Sequence, residues 1–354
     1  MNDGHVSFRV APLAVLVTAA AAALLFGPAW SARMAVFPWL VALFVVGLPH
    51  GAADLAVSRR LCGWPITLRL FAAYAALMAA VLSALVIAPQ PTVTVFAALS
   101  IWHFGLSHAQ GQSPAVPAGW RWQTLAAMAR GASVLGVPLA AWPAETSAVI
   151  GRLLSLIGKA GPVEPPAFAS EAIRVAGLCL TITGMLSLAS EAVLTRHAPG
   201  CLRRSADTLL DLLIIGSLGV SADPLLSIGL YFLCWHAWRE MRPLTTLLAQ
   251  PAGSDHSTTD MATLVRNVVA VHVAALPLLI PTWAALGAAW WLRSPSHSLG
   301  DLAVLSLAVY LVVTPAHEAL HDVLRAGCPP RSRRTQSSPC RHPFQPCAVH
   351  SASS

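Results

Sequence analysis

The sequence predicts an all-α protein, a polytopic transmembrane helix bundle of about 8–10 spans. Three observations carry that reading. Of the 354 residues, 56% are hydrophobic and only 10% are charged, where a soluble domain carries about 25%. Too little polar surface remains to coat a soluble globule, and the mean hydropathy is +0.65. The apolar residues also come in blocks of roughly 18–25, parted by short loops of Arg, Pro, Gly and Ser, and not in the alternating segments of about ten that a β-barrel requires.

In chain order, residues 1–11 are polar and include Arg9. The first apolar block, about 12–27, is read as a span and not as a signal peptide, because no small-x-small cleavage site follows it and Trp30 spoils the nearest candidate. Further spans are expected at about 36–57, 70–88, 93–110, 123–142, 172–194, 207–221, 224–248, 267–292 and 300–324, the seventh being weak. The Pro- and Gly-rich stretch 143–171 predicts a longer loop with a short interfacial helix around Thr146–Ile157. Residues 1–325 therefore form one integral membrane domain. Residues 326–354 hold Pro, Ser, Arg and Cys without periodicity and predict a disordered basic tail.

The net charge of +7 lies in loops and in the tail. No basic stripe alternates with aromatic residues, which argues against nucleic acid as a partner. Arg59, Arg60, Arg69, Arg121, Arg196, Arg203, Arg204, Arg239, Arg242 and Arg325 fall on one side of the ten-span arrangement, against Arg152, Lys159 and Arg293 on the other. The positive-inside rule then places both termini in the cytoplasm, with the inner (cytoplasmic) membrane as the expected location. The seven cysteines include no C-x-x-C pair, and their spacing fits no standard zinc site.

Four histidines lie within apolar blocks: His50, His103, His236 and His317. Ionisable residues are costly in a bilayer and need a reason. All four fall on even-numbered spans, about 15–27 Å from the outer end at 1.5 Å per residue, which is compatible with one layer. The plain explanation is that each histidine hydrogen-bonds a neighbouring helix. The sharper one is a metal centre: an imidazole-rich site without thiolate suits Fe(II), Zn or Cu. His236 and Glu240 are spaced i, i+4 and share a face, as do His50 and Asp54, whereas His103 and His108 do not. Aromatic residues beside His103 and His236, Trp235 among them, either pack the bundle or line a slot for a long, flat apolar substrate. His317-Glu318-x-x-His321 is formally an H-E-x-x-H motif, found in zinc proteases. For Glu318, His321 and Asp322 an interfacial polar cluster is the plainer expectation, and likewise for Asp207 and Asp211.

Gly47-Leu48-Pro49-His50-Gly51-Ala52-Ala53-Asp54, His103-Phe104-Gly105, Tyr231-Phe232-x-x-Trp235-His236-x-x-Arg239 and a C-terminal Pro-x-His together resemble the bacteriorhodopsin-related-protein and Brp-like (Brp/Blh) family of integral membrane β-carotene 15,15′-dioxygenases. The resemblance covers roughly residues 36–325. It implies non-haem Fe(II), with His50, His103 and His236 as ligands at the catalytic centre. Asp54, His108, Trp235, Arg239 and His317 would stand behind the ligands or line the pocket. The substrates implied are a carotenoid and O2, met in the lipid bilayer. The product is retinal, for which a retinal-binding rhodopsin is the natural recipient. This chain departs from the family pattern at three positions, one of them Ala316, which stands between Pro315 and His317 in the last motif. Glu240 stands where the family places a fourth ligand, and His108 stands where it tends to place Asp. Either Glu240 ligates as a carboxylate or His108 rotates into the role, and Glu240 is geometrically easier. Two other readings remain: a non-catalytic relative that handles carotenoid or retinal, and an intramembrane zinc metalloprotease using His317, Glu318 and His321.

Overall fold

A computed structural model describes residues 3–112, 120–158, 167–197, 200–249 and 261–327. Each predicted apolar block falls on helical residues, the blocks at 36–57 and 224–248 on interrupted ones, and residue 326, expected in the tail, ends the last helix. The tail from residue 328 lies outside the described residues.

The chain opens with α1 (Asp3–Phe26) and a broken rod: α2 (Pro28–Met34), α3 (Val36–Phe44), α4 (Gly47–Ala52) and α5 (Asp54–Cys62). It continues with α6 (Trp64–Ile87), α7 (Pro89–Gln112), α8 (Trp120–Ala127), a π-helical turn Met128–Ala132, α9 (Ser133–Ala141) and α10 (Pro143–Ile157). There follow α11 (Ala167–Leu194), α12 (Cys201–Ser221), α13 (Pro224–Leu230), a second π-helical turn Tyr231–Ala237 and α14 (Trp238–Ala249). The last two helices are α15 (Met261–Arg293) and α16 (Leu299–Ala326). The described residues are helical with short turns between, an all-α polytopic bundle. By length and composition six helical stretches are apolar enough to cross a membrane, and Val10–Phe26 is a shorter apolar helix.

Burial sorts these rods into an outer and an inner set. Only 11% of the most apolar window of Trp64–Ile87 is buried, and 17% in Ala169–Leu194 and in Val265–Arg293. These helices are apolar all round and present that surface outward, as a lipid-facing helix does. Pro28–Cys62 is 50% buried in its window and Leu299–Arg325 is 44% buried. Arg121–Ala141 is the most buried at 61%, and these three rods, with α7 and the α13–α14 rod, form the interior.

Two local departures from a straight helix position the interior side chains. The rod predicted as one span at 36–57 starts earlier and is interrupted at Val45–Val46 and again at Ala53. Restarting at Gly47 puts Pro49 in the first turn of α4, where a missing N–H costs nothing. The α13–α14 rod widens through the π turn that carries His236. Close packing holds α7 to its neighbour. A Cβ on Gly105 would lie 1.9 Å from the Ala127 carbonyl oxygen, and one on Gly131 1.8 Å from that of Ile101. Small residues at such a contact let two backbones touch, which is how helices pack where lipid gives no hydrophobic drive.

The predicted interfacial helix exists as α10, beginning three residues before Thr146. Its Arg152 makes a paired contact with Asp301 at the start of α16, at 2.7 and 2.8 Å.

Candidate metal centre

The broken rod, α7, the second π turn and α16 each deliver one histidine to the same place. The ring centres of His50 and His236 are 5.6 Å apart, His236 and His103 4.5 Å, His103 and His317 6.0 Å, and His317 and His50 5.6 Å. The four imidazoles thus form a closed circuit, with neighbouring rings steeply tilted (65–83°). All four side chains are buried.

What stands behind each ring fixes which nitrogen faces inward. His50 Nδ1 lies 3.3 Å from the Val46 carbonyl oxygen. His103 Nδ1 meets the Glu318 carboxylate, and His317 Nδ1 lies 2.8 Å from Asp54 Oδ2. Each of those oxygens can only accept, so each Nδ1 carries the proton and donates. A neutral imidazole has one donor and one acceptor, so the Nε2 atoms of His50, His103 and His317 are left with lone pairs. His103 Nε2 lies 2.9 Å from His236 Nε2. His236 Nδ1 is buried without a hydrogen-bond partner among the described residues.

This donor set fits a metal ion. Four buried imidazoles gather here, and the Nε2 atoms of His103 and His236 approach to 2.9 Å, donors of the kind a cation takes up. Two nitrogens each about 2.1 Å from an ion and at about 90° would lie about 3 Å apart, close to the His103–His236 spacing. A carboxylate or carbonyl behind a ligating histidine is the usual means of fixing tautomer and orientation. Among the described residues, the one group of three whose ligand atoms all lie within 4.8 Å of one another is Asp54, His317 and His321. There, however, Asp54 already accepts from His317 and has His321 Nε2 at 3.5 Å from its second oxygen. A carboxylate between two imidazoles is satisfied by hydrogen bonds, so the imidazole circuit has the greater need of an ion.

The predicted site residues divide. His50, His103, His236, His317 and Asp54 come together. Glu240 lies one helical turn beyond His236, and its Oε1 accepts from Ser107 Oγ at 2.5 Å. Trp235, Arg239 and His108 stand elsewhere: His108 packs on Trp235 (ring centres 5.2 Å), and Arg239 lies over the same indole at 4.8 Å. His108 faces Asp211 across 3.7 Å, so it does not rotate toward the circuit.

Three expectations of interfacial polarity are corrected. Asp211 is fully buried, because α12 turns it toward α7. Glu318 backs His103 and His321 neighbours Asp54, because α16 presents this face to the interior. The H-E-x-x-H segment therefore spreads its groups over two other helices. Its glutamate is committed to His103 and does not stand free beside His317 and His321. The signal for Glu318 and His321 was their place one and four residues after His317.

An apolar cavity of about 230 Å³ opens beside the circuit, with His50, His103 and His317 in its wall. Trp39, Phe104, Phe232, Leu135, Leu307 and Tyr310 supply much of the rest, and Thr146, Val149 and Ile150 of α10 also line it. Trp39 stacks on Phe232 at 5.9 Å and 15°, and Phe232 lies against Tyr310 at 4.8 Å.

Comparison with known proteins follows the same motifs. A family model described as Beta-carotene 15,15'-dioxygenase matches residues 41–325. The chain is 25% identical over 318 residues to the "Probable beta-carotene 15,15'-dioxygenase Blh" of Halobacterium salinarum, covering 86% of this chain and 89% of that protein. No solved structure matches the chain.

Proposed function

The chain belongs to the beta-carotene 15,15'-dioxygenase family, and from that premise we propose that it cleaves the central double bond of β-carotene, or of a related carotenoid, with O2 to give retinal. One observation supports this above the others: three buried imidazoles, each held through Nδ1, meet at the wall of an apolar cavity inside a membrane helix bundle.

In this reading His50, His103 and His236 hold a non-haem iron(II), and the fourth position, expected at Glu240, is where the chain departs from histidine. Bound there, iron(II) supplies the electronic means for triplet O2 to react with a closed-shell alkene. The balance needs no further reductant: one carbon–carbon double bond breaks, and each carbon ends as an aldehyde bearing one oxygen atom.

The protein's own work is binding and placement. Trp39, Phe104 and Phe232 offer flat apolar faces to a polyene, and the cavity wall holds no carboxylate. Such a wall favours a hydrocarbon and keeps bulk water from the reacting carbons. Glu318, Asp54 and the Val46 carbonyl hold three imidazoles in one tautomer, so the donor set is arranged before the ion arrives. The substrate is met in the bilayer, so entry does not require passage through water. On the arginine distribution the chain sits in the cytoplasmic membrane with both termini inside, and its product suits a retinal-binding rhodopsin.

The test is expression in a β-carotene-producing host, with chromatography for retinal and iron analysis of the purified protein. Loss of orange colour with retinal formed, abolished by His50→Ala, is the expected result. Colour retained at good expression, with no iron in the protein, would refute the proposal and leave a carotenoid- or retinal-handling relative. Activity that follows zinc and is lost only on Glu318→Gln would point to the protease.

A further inference from the structure

Resting on that reading, we propose that His317, aligned from behind by Asp54, supplies the fourth nitrogen of the metal centre, and that Glu240 is not a ligand. His317 closes the circuit: its ring stands at 83° to His50 and 79° to His103, with centres 5.6 and 6.0 Å away. With Nδ1 bound to Asp54 at 2.8 Å, its Nε2 lies on the far side of the ring from that carboxylate and carries a lone pair. This is the arrangement His103 has with Glu318. Two of the four imidazoles are thus backed by a buried or nearly buried carboxylate, the arrangement that steadies a ligating histidine.

Glu240 has the opposite circumstances. Its carboxylate is already engaged by the Ser107 hydroxyl at 2.5 Å. The i, i+4 spacing that made it attractive assumes a regular helix, and the π turn Tyr231–Ala237 changes the register through His236. Residue 317 also stands next to Glu318, so α16 both supplies a donor and braces the donor on α7. Asp54 then acts as a positioning residue, with His321 at 3.5 Å on its second oxygen.

The experiment uses the full chain purified in detergent and loaded with Fe(II). Iron per chain and iron affinity are measured, and pulsed electron paramagnetic resonance of the nitric oxide adduct counts coupled imidazole nitrogens. The wild type is expected to hold one iron with four such nitrogens. His317→Gln should lose one nitrogen and weaken iron binding more than about 100-fold, beyond the usual effect of an outer partner. Glu240→Gln should keep both. Asp54→Asn should keep the nitrogen count and weaken binding about 10–100-fold, and it carries the test if His317→Gln fails to fold. Unchanged affinity in either the His317 or the Asp54 variant overturns the proposal, as does loss of iron in Glu240→Gln. Two irons per chain, one lost with Asp54→Asn, overturns it in favour of an ion between Asp54, His317 and His321. A wild type without iron or retinal formation refutes the proposed function itself. An iron-loaded, retinal-forming wild type with an unaffected His317→Gln refutes only the assignment of His317.

Discussion

His103 and His108 are five residues apart on α7, about 140° round the helix, and they enter opposite neighbourhoods. His103 meets another imidazole nitrogen at 2.9 Å. His108 meets Asp211 across 3.7 Å and the face of Trp235. Around His108 the polar groups are matched by sign. Arg130 reaches both oxygens of Glu191, at 2.6 and 3.1 Å, and the Thr208 hydroxyl at 3.4 Å. Buried charges in such a network complete one another and need nothing from outside. Around His103 the neighbour is another imidazole, and Glu318 and Asp54 stand behind the rings of His103 and His317. The same residue type on the same helix is structural where its partner is an acid. It marks a candidate site where its partner is another imidazole.

That contrast can be broken by substitution. The largest effect is expected for His236→Ala: iron lost, retinal formation abolished and fold retained, read by metal analysis, chromatography and size exclusion. A variant that keeps iron would remove the circuit from consideration. Next is Arg130→Ala, which strands Glu191 and should cost about 3–5 kcal/mol of stability, seen in detergent unfolding, while folded molecules keep their iron. If Arg130→Ala instead lost iron at unchanged stability, the two clusters would not be separate. Glu318→Gln should weaken iron binding about 10–100-fold with little change in unfolding, since the amide still meets the imidazole. The smallest effect is expected for His108→Ala, about 1–2 kcal/mol of stability from loosening a buried partner of Asp211, with iron per chain unchanged. Equal effects of His108→Ala and His236→Ala on iron would sink the distinction.

Much of this was legible in the sequence. Ten apolar blocks announce the rods, and His50, His103, His236 and His317 stand out because polar atoms in apolar blocks demand partners. The family resemblance singles out the first three. Composition cannot say which polar residues near a helix end turn inward. Glu318, His321 and Asp211 looked interfacial because they lie close to charged neighbours in sequence, yet packing of α16 and α12 draws them into the interior. The breaks at Val45–Val46 and the π turn at Tyr231–Ala237 were illegible for a related reason. Spacing arguments assume a steady 100° per residue, and both features alter that step where the ligands sit.

The π turn has a consequence for how this chain tolerates change. Such a turn is an α-helix holding one residue more than its hydrogen-bond ladder accommodates. Loss of one codon between Tyr231 and Trp235 would let the rod relax to a plain α-helix without disturbing hydropathy or length enough to prevent insertion. His236 and the residues after it would keep their direction relative to α13, because the turn already absorbs the extra residue. Straightening the rod with every residue kept would instead swing His236 by about 100°, away from His103, so the aim of this side chain depends on the turn itself.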